Sequence, residues 1–398
     1  MKVLILGIDG YLGWPLALHL IERGHQVSGL DCYIRRERVD RTGCNSLTPI
    51  ADRLSRTHFL RRKQPSFVMS HDYVDNCEEF LRSVQPDAIV HLAEQPSAAY
   101  SMIGVEEAVE TQTDNIIGTL RILWYMKRVC PEAHLIKLGT MGEYGTPNCD
   151  IPEGEIPFDC ISGHKLPSKE YIECSMGGLI FPRRAGSWYH LTKVHDSYNI
   201  EFACRNWGFR STDIMQGPVF GVTTDDIKDE SELTRFDYDE CFGTIINRFC
   251  AQAIVGHPLT VYGVGNQTRG YLPLKDSIFC MTLAIENPPK AGEYRVFNQF
   301  ERTYSANELA EIVKFAGAEL NIDVKIAHYE NPRKEAETHY YNPYRNKLVE
   351  LGYKPTTDIF PEVKLLLGDI LPFRDRVLID KLIPQYRWDT SHRKSKTV

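Results

Sequence analysis

Lys2-Val3-Leu4-Ile5-Leu6-Gly7-Ile8-Asp9-Gly10-Tyr11-Leu12-Gly13 opens the chain with an unbroken apolar run that stops at three spaced glycines. An apolar run without alternation is the pattern of a strand buried on both faces, as in a parallel sheet. Pro15 to Arg23 then reads as a helix closed by Gly24. Strand, glycine turn and helix in that order make a phosphate cradle. Gly7, Gly10 and Gly13 let a pyrophosphate approach the backbone N–H groups at the helix N-terminus, and Asp9, Tyr11 and Leu12 complete the turn as cofactor contacts. Gln26 to Leu30 reads as the next strand and ends at Asp31, eighteen residues beyond Gly13. A carboxylate there hydrogen-bonds an adenosine ribose diol and repels a 2′-phosphate, which predicts NAD rather than NADP. Arg35 and Arg36 pull the other way, since a nearby arginine can accept that phosphate.

The alternation of strand and helix continues outward from this unit. Ser66 to Met69, Ala88 to Leu92, His134 to Leu138 and Phe209 to Ile214 read as the third to sixth strands, and Asn115 to Arg128 as a helix. Ligands of doubly wound sheets bind at the carboxyl ends of the strands. That rule selects Asp72 and Tyr73 beside an adenine, Leu92, Ala93, Glu94, Gln95 and Ser97 after the fourth strand, and Leu138 with Gly139-Thr140-Met141-Gly142-Glu143 after the fifth. The predicted fold is α/β: a Rossmann-type doubly wound parallel sheet over residues 1–217, with an irregular insertion at 148–186. Residues 218–398 form a smaller, discontinuous α/β substrate domain, from which segments at about 241–257 and 270–300 return to the first domain. His257 to Gly263 and Gln267 to Leu272 read as short strands around a turn. Arg41, Arg53, Arg56, Arg61 and Arg62 read as a solvated basic face.

Composition narrows the partners. A net charge of −7 over 398 residues argues against nucleic acid and against an anionic membrane surface. The eleven cysteines are scattered and never spaced Cys-x-x-Cys, which fits reduced thiols in the cytoplasm and no metal site. No stretch approaches the roughly 20 apolar residues of a membrane span, and the N-terminal run is too short for a signal peptide.

Ser187-Trp188-Tyr189-His190-Leu191-Thr192-Lys193 carries the chemistry. On a helix, Tyr189 and Lys193 share one face, and a neighbouring ammonium lowers a phenol's pKa toward the range of a useful base. The other Tyr-x-x-x-Lys, Tyr271 to Lys275, contains Pro273 and is not helical. Thr140, at the end of the fifth strand, supplies a hydroxyl to share the substrate oxygen with Tyr189. Arg269 and Arg333 are isolated cations suited to a diphosphate.

Gly7-x-x-Gly10-x-x-Gly13, Asp31, Thr140 and Tyr189-x-x-x-Lys193 together resemble the extended short-chain dehydrogenase/reductase family, the nucleotide-sugar epimerases and dehydratases. Lys137 to Asn148, Tyr189 to Ser197, Gly256 to Gly263, Gln267 to Leu272 and Val296 to Phe300 are similar to its sulfosugar-forming branch, a resemblance that runs to about residue 355. The region from Pro152 to Pro182, the Tyr271 to Asp276 run and the Arg183/Arg184 pair depart from it. The resemblance implies a recycled NAD, with Asn115 and Gln216 among its contacts, and UDP-glucose and sulfite as substrates, the sulfite free or delivered by another protein. It implies Glu143 or His190 as the additional acid/base, with Glu143 preferred, and Met141 along the C6 pocket. UDP-sugar binding falls to Gln95, Ser97, Arg184, Gln216, Val219, Thr244, Thr260, Tyr262, Gln267, Arg269, Arg333 and Glu335, with Thr140, Met141 and Glu143 alongside, in a homodimer. Simple 4-epimerisation, 4,6-dehydration and a non-catalytic nucleotide sensor are the alternatives.

Overall fold

The structure, a computed structural model, describes residues 1–156, 179–333, 336, 338–355, 358–384 and 388. Its first half alternates β1 (Lys2–Leu6), α1 (Gly13–Glu22), β2 (Gln26–Leu30), α2 (Ile34–Arg41), α3 (Arg53–Lys63), β3 (Val68–Ser70), α4 (Glu78–Val84), β4 (Ala88–His91), α5 (Val105–Gln112), α6 (Gly118–Val129) and β5 (His134–Thr140). A two-residue ladder of β6 (Glu155–Ile156) and β7 (Leu179–Ile180) flanks residues 157–178 of the insertion, which lie outside the described part. After it come α7 (Trp188–Trp207) and β8 (Arg210–Gln216). Val3 to Leu6 and Ile89 to Val90 are fully buried because helices cover both faces of the sheet.

The second half contains β9 (Val219–Phe220), α8 (Ile245–Ile254), β10 (Leu259–Tyr262), β11 (Thr268–Pro273), α9 (Leu274–Glu286) and β12 (Tyr294–Gln299). It ends with β13 (Arg302–Ser305), α10 (Ala306–Glu319), β14 (Ile326–Tyr329), α11 (Asn346–Glu350) and α12 (Phe360–Ile370). The main sheet has seven parallel strands in the order β12-β8-β5-β4-β1-β2-β3. Strand order reverses between β1 and β4, which is where such sheets bind ligands. β12, from the 270–300 segment, pairs with β8 at the edge of this sheet, and α9 packs with α1 in the sheet's core.

Three features differ from the sequence reading. α8, in the 241–257 segment expected to return, instead buries Ile246, Phe249 and Cys250 with Leu309, Val313 and Leu366 in a second core formed by α8, α10 and α12. β10 and β11 are not partners across a turn. Gly263 and Gly265, both at positive φ, turn the chain away, so β10 pairs with β14 while β11 lies between β13 and β9. Arg56, assigned to a solvated face, is 4 % exposed. Its guanidinium lies 4.3 Å from the Trp14 ring centroid and donates to Leu233 O at 3.0 Å, so the helix that looks basic in sequence turns one cation inward. Among the described residues, no helix is long and apolar enough to cross a membrane.

Two buried histidines make the fold acid-sensitive. Burial, aided by the charges of Lys193 and Lys137, pushes His91 down to about 3. Burial with Arg295 and Arg210 does the same to His134, whose ring bonds the Thr212 hydroxyl. The folded pKa values lie below the unfolded ~6.5, so below that pH the unfolded chain takes up protons the folded one refuses. Each of these histidines is therefore expected to lower stability by about 1.4 kcal/mol per pH unit as pH drops from about 6.5, against the opposite contribution of Asp196 and Glu301, which burial raises to about 7. Urea denaturation at pH 7 and pH 5 measures this, and His134→Gln is expected to flatten the dependence by one histidine's share.

Candidate active site

The carboxyl ends of β1, β4 and β5 open into a cavity of about 420 Å³ that runs from the glycine turn to the N-terminal end of α7. At the turn, Gly7 has φ +86°, and a Cβ on it would lie 2.7 Å from Leu92 O; one on Gly13 would lie 2.2 Å from Gly7 O. Only glycine fits either place, and the space so kept is what a pyrophosphate needs. Asp31 is buried at the end of β2, accepting from Asp9 N at 2.8 Å and Tyr33 N at 2.7 Å. Burial and the neighbouring Asp9 charge raise it to about 6. The cradle that a Cβ would fill, followed by this carboxylate, fits a dinucleotide. Neither arginine suspected of taking a 2′-phosphate is available for it. Arg35 donates to Asp237 at 2.7 Å and lies 3.6 Å from the Phe242 ring centroid. Arg36 is forked onto Asp9, with both hydrogen bonds 2.7 Å long.

At the other end, the Ser187 hydroxyl caps α7 by accepting from His190 N at 3.2 Å. That sets Tyr189, His190 and Lys193 along the cavity wall opposite Thr140, whose side chain hydrogen-bonds the Tyr189 phenol. The expected electrostatics differ. Lys193 Nζ lies 5.9 Å from the Tyr189 ring centroid and is engaged elsewhere, donating to Leu138 O at 2.8 Å and pairing with Glu94. Burial, with the Glu143 charge, holds the phenol above its ordinary range; the lowering expected from Lys193 is absent, because the ammonium is turned to the β4 and β5 ends. The His190 ring bonds the Ser187 hydroxyl at 3.0 Å and rests on Gly142, where a Cβ would come 2.3 Å from Nε2. Burial and the charges of Arg269 and Arg333 push this imidazole down to about 3, so it is neutral at physiological pH.

Residues 3–164 match the model of the NAD dependent epimerase/dehydratase family. UDP-sulfoquinovose synthase of Sulfolobus acidocaldarius is 46 % identical over 98 % of each chain. The chloroplastic UDP-sulfoquinovose synthase of Spinacia oleracea is 46 % identical over 97 % of this chain and 79 % of its own. The chain belongs to the UDP-sulfoquinovose synthase branch of the NAD-dependent epimerase/dehydratase family. Among solved structures, a Bacillus cereus UDP-glucuronic acid 4-epimerase mutant with NAD and a fluorinated UDP-sugar superposes with a TM-score of 0.68 at 18 % identity, covering 93 % of this chain and 99 % of its own. Thermotoga maritima UDP-glucose 4-epimerase with UDP-glucose gives 0.65 at 20 % identity, covering 92 % and 98 %. These share the Rossmann-type fold.

Within this synthase-branch site, the wall holds most of the residues singled out from sequence, from the glycine turn through Asp72, Tyr73, Leu92, Ala93, Glu94, Ser97 and Leu138 to Gln216, Val219 and Thr244. Four others stand behind the wall. Gln95 gives its amide to Ser97 O and Thr111, and Asn115 binds the Gln95 backbone and the Thr192 hydroxyl; together they tie the β4 loop to α7. Met141 packs with Tyr144, Phe181 and Met215, and its sulfur accepts from the Tyr341 hydroxyl at 3.7 Å. Glu143 is fully buried, receiving Lys137 Nζ at 3.3 Å, the Ser197 hydroxyl at 3.2 Å, Thr140 N at 3.3 Å and the guanidinium of Arg183. A carboxylate with four donors and no opening to the cavity caps the turn that carries Thr140; it does not reach the substrate space.

Thr260, Tyr262, Gln267, Arg269 and Arg333 belong to the second half and do not line this cavity. Thr260 pairs with Gln252, Gln267 donates to Tyr262 O, and Arg269 meets His339 at 2.8 Å. The charges of Arg269 and Arg333 are nonetheless felt at His190. Arg184 is exposed outside the wall, and Glu335 lies outside the described residues. Sequence reasoning missed Arg38, Asp237, Phe242 and Asn247, which line the cofactor half. Asp237 and Phe242 lie outside helix and strand, and Asn247 stands in the first turn of α8, where its type alone does not set it apart. Among the described residues, no three His, Cys, Asp or Glu are grouped to hold a metal ion.

The Glu143–Arg183 pair has both side chains almost fully out of water. Arg183→Met is expected to leave Glu143 short of a counter-charge and to cost about 3–5 kcal/mol, read by urea denaturation.

Proposed function

We propose that this protein makes UDP-6-sulfoquinovose from UDP-glucose and sulfite. The observation that supports this above all is that Thr140, Tyr189 and a neutral His190 meet at one end of a dinucleotide cleft, in a chain collinear with two sulfoquinovose synthases. NAD, when bound, supplies the hydride acceptor and donor at C4 of the sugar. Thr140 and Tyr189 hold the C4 oxygen, and Tyr189 takes its proton; Lys193 fixes the ribose side of the cleft. A 4-ketone acidifies the C5 hydrogen. Loss of that proton and of the C6 hydroxyl, as water, leaves an enone. Sulfite adds through sulfur at C6, a proton returns to C5, and reduction at C4 with a proton from Tyr189 completes the product.

The elimination needs a second proton carrier. His190 fills that role in place of Glu143, because its imidazole lines the cavity while the Glu143 carboxylate is enclosed. A neutral imidazole can accept the C5 proton through one nitrogen while the Ser187 hydroxyl orients the other. Arg269 and Arg333 supply positive charge for the diphosphate and for the sulfite dianion, whether sulfite arrives free or from another protein. Epimerisation and 4,6-dehydration use the same Thr140 and Tyr189 but consume no sulfite.

Incubation with UDP-glucose, with and without labelled sulfite, is expected to give a sulfonated nucleotide sugar only when sulfite is present. Tyr189→Phe is expected to stop C4 oxidation, and His190→Asn to slow sulfonate formation about 10²–10⁴-fold while reduced nicotinamide still forms. A Glu143→Gln enzyme that folds yet loses elimination, beside an active His190→Asn, would reassign the base.

The assembly we propose is a homodimer through α5, α6 and α7. These helices pack against one another and expose Val105, Val109, Trp124, Trp188, Tyr198 and Phe202, large apolar side chains of the kind that an interface covers. Light scattering is expected to give twice the chain mass, and a Trp124→Glu/Phe202→Glu variant the single mass.

A further inference from the structure

The turn that cradles the pyrophosphate carries a carboxylate of its own, Asp9. It is 6 % exposed, and its backbone N–H donates to Asp31 Oδ2 at 2.8 Å, so two carboxylates meet at the corner where the adenosine ribose binds. Both line the cavity. The two guanidiniums that balance them do not. Arg36 grips Asp9 through Nε and Nη2, each at 2.7 Å, and its Nη2 also donates to Ala51 O at 3.0 Å. Arg56 adds Nη1 to Asp9 Oδ1 at 2.9 Å and to Asp9 O at 3.1 Å, and is fixed from behind by Trp14 and Leu233 O.

At this corner the wall presents the two carboxylates, while the guanidiniums of Arg36 and Arg56 that grip Asp9 stand behind it; Arg35, which does line the cavity, is closed on Asp237, and Arg38, which also lines it, on Asp114 and Glu110. A free Arg36 so close to Asp31 would be the group best suited to a 2′-phosphate, because a guanidinium fork matches phosphate oxygens. With its fork closed on Asp9 it cannot turn to that phosphate without giving up both bonds to a buried carboxylate and leaving Arg56 alone to hold it, which is costly. Burial and the Asp9 charge also raise Asp31, a sign that the two carboxylates feel each other across this corner.

We propose that Asp9 is a second determinant of NAD over NADP, which repels a 2′-phosphate with its own charge and keeps Arg36 from pairing with it. Asp31 is then not the sole selector. The choice is shared between the end of β2 and the glycine turn, and Arg36 is a latent phosphate ligand.

The experiment reads nucleotide content alone, with no sugar and no sulfite, so its outcome is independent of the sulfonation reaction. Wild type, Asp9→Asn, Asp9→Ala and Asp9→Ala/Arg36→Ala holoenzymes are each exchanged against an equimolar excess of NAD and NADP. They are then freed of unbound nucleotide and denatured, and the released NAD and NADP are quantified by chromatography. Asp9→Asn and Asp9→Ala are expected to raise the retained NADP-to-NAD ratio about tenfold or more, the effect of one new charge-assisted hydrogen bond to the 2′-phosphate. Adding Arg36→Ala is expected to remove most of that increase. A ratio within about twofold of wild type in Asp9→Asn, the near-isosteric variant, overturns the proposal even if Asp9→Ala fails to fold. So does a double variant that keeps the full increase, which would leave Arg36 without a part.

Discussion

A lysine with no access to water holds the catalytic end together. Lys137 stands in the middle of β5, pointing under the Thr140 turn, and its ammonium meets Glu143 Oε1 at 3.3 Å, Ser197 Oγ at 3.1 Å, Lys193 O at 3.0 Å and Asp213 at 3.5 Å. Burial alone would pull its pKa down; Asp213 and Glu143 push it back above the ordinary range, so the charge persists. Those partners come from the turn after β5, from α7 and from β8. One cation therefore fixes the relative placement of Thr140 on the turn, Tyr189 on the helix and the strand that runs beside them. Charges this deep are a weak source of net stability, because desolvation cancels most of the attraction. What they do supply is position: an apolar cluster of the same volume would tolerate sliding of α7 along β5, and this network of directed hydrogen bonds would not.

The same network explains why Glu143 does not do what its place in sequence suggests. Gly139 has no room for a side chain, since a Cβ would sit 2.6 Å from Asp213 Oδ1 and 3.1 Å from Glu143 Oε1. The strand can pass over the charged cluster only because that residue is glycine. Glu143 then closes a capping box on Thr140, and Arg183, arriving from the far side of the insertion, covers its last open edge. A base must reach its substrate proton, and this one is walled off by its own turn. His190, one residue from Tyr189, reaches the cavity because Gly142 leaves space for its ring.

Much of this was legible in the order of residues. The glycine turn, Asp31, Thr140 and the Tyr189 helix each depend on local spacing, and local spacing survives folding: the elements appeared where periodicity put them, and the turn, Asp31, Thr140, Tyr189 and Lys193 all face one cleft. The failures share a different cause. Arg56, Asn115, Gln95 and Glu143 are polar residues that each have at least one deciding partner far away in sequence, 20 residues for Gln95 with Asn115, 54 for Glu143 with Ser197 and 177 for Arg56 with Leu233. Sequence shows that such a residue is polar; it does not show whether the polarity faces a ligand or another buried group. The pairing of β10 with β14 was missed for the same reason, because 67 residues separate Leu259 from its partner Ile326 and the nearer β11 is a more natural guess.

Tyr189 shows how these constraints combine. A buried phenol close to a buried carboxylate resists ionisation, and Lys193, the cation expected to counter this, is held by Leu138 O and Glu94. Thr140 lowers the barrier by one hydrogen bond, which is not enough by itself to make a base near neutral pH. The remaining help must come from positive charge close to the phenol, and among the described residues the direction left open is the cleft. Proton transfer at Tyr189 is thus conditional on what occupies that space. Positive charge brought into the cleft by a bound dinucleotide would favour the phenolate. On the proposed mechanism the consequence would be chemical restraint: a base able to take a proton from a sugar hydroxyl would exist only while the hydride acceptor is in place.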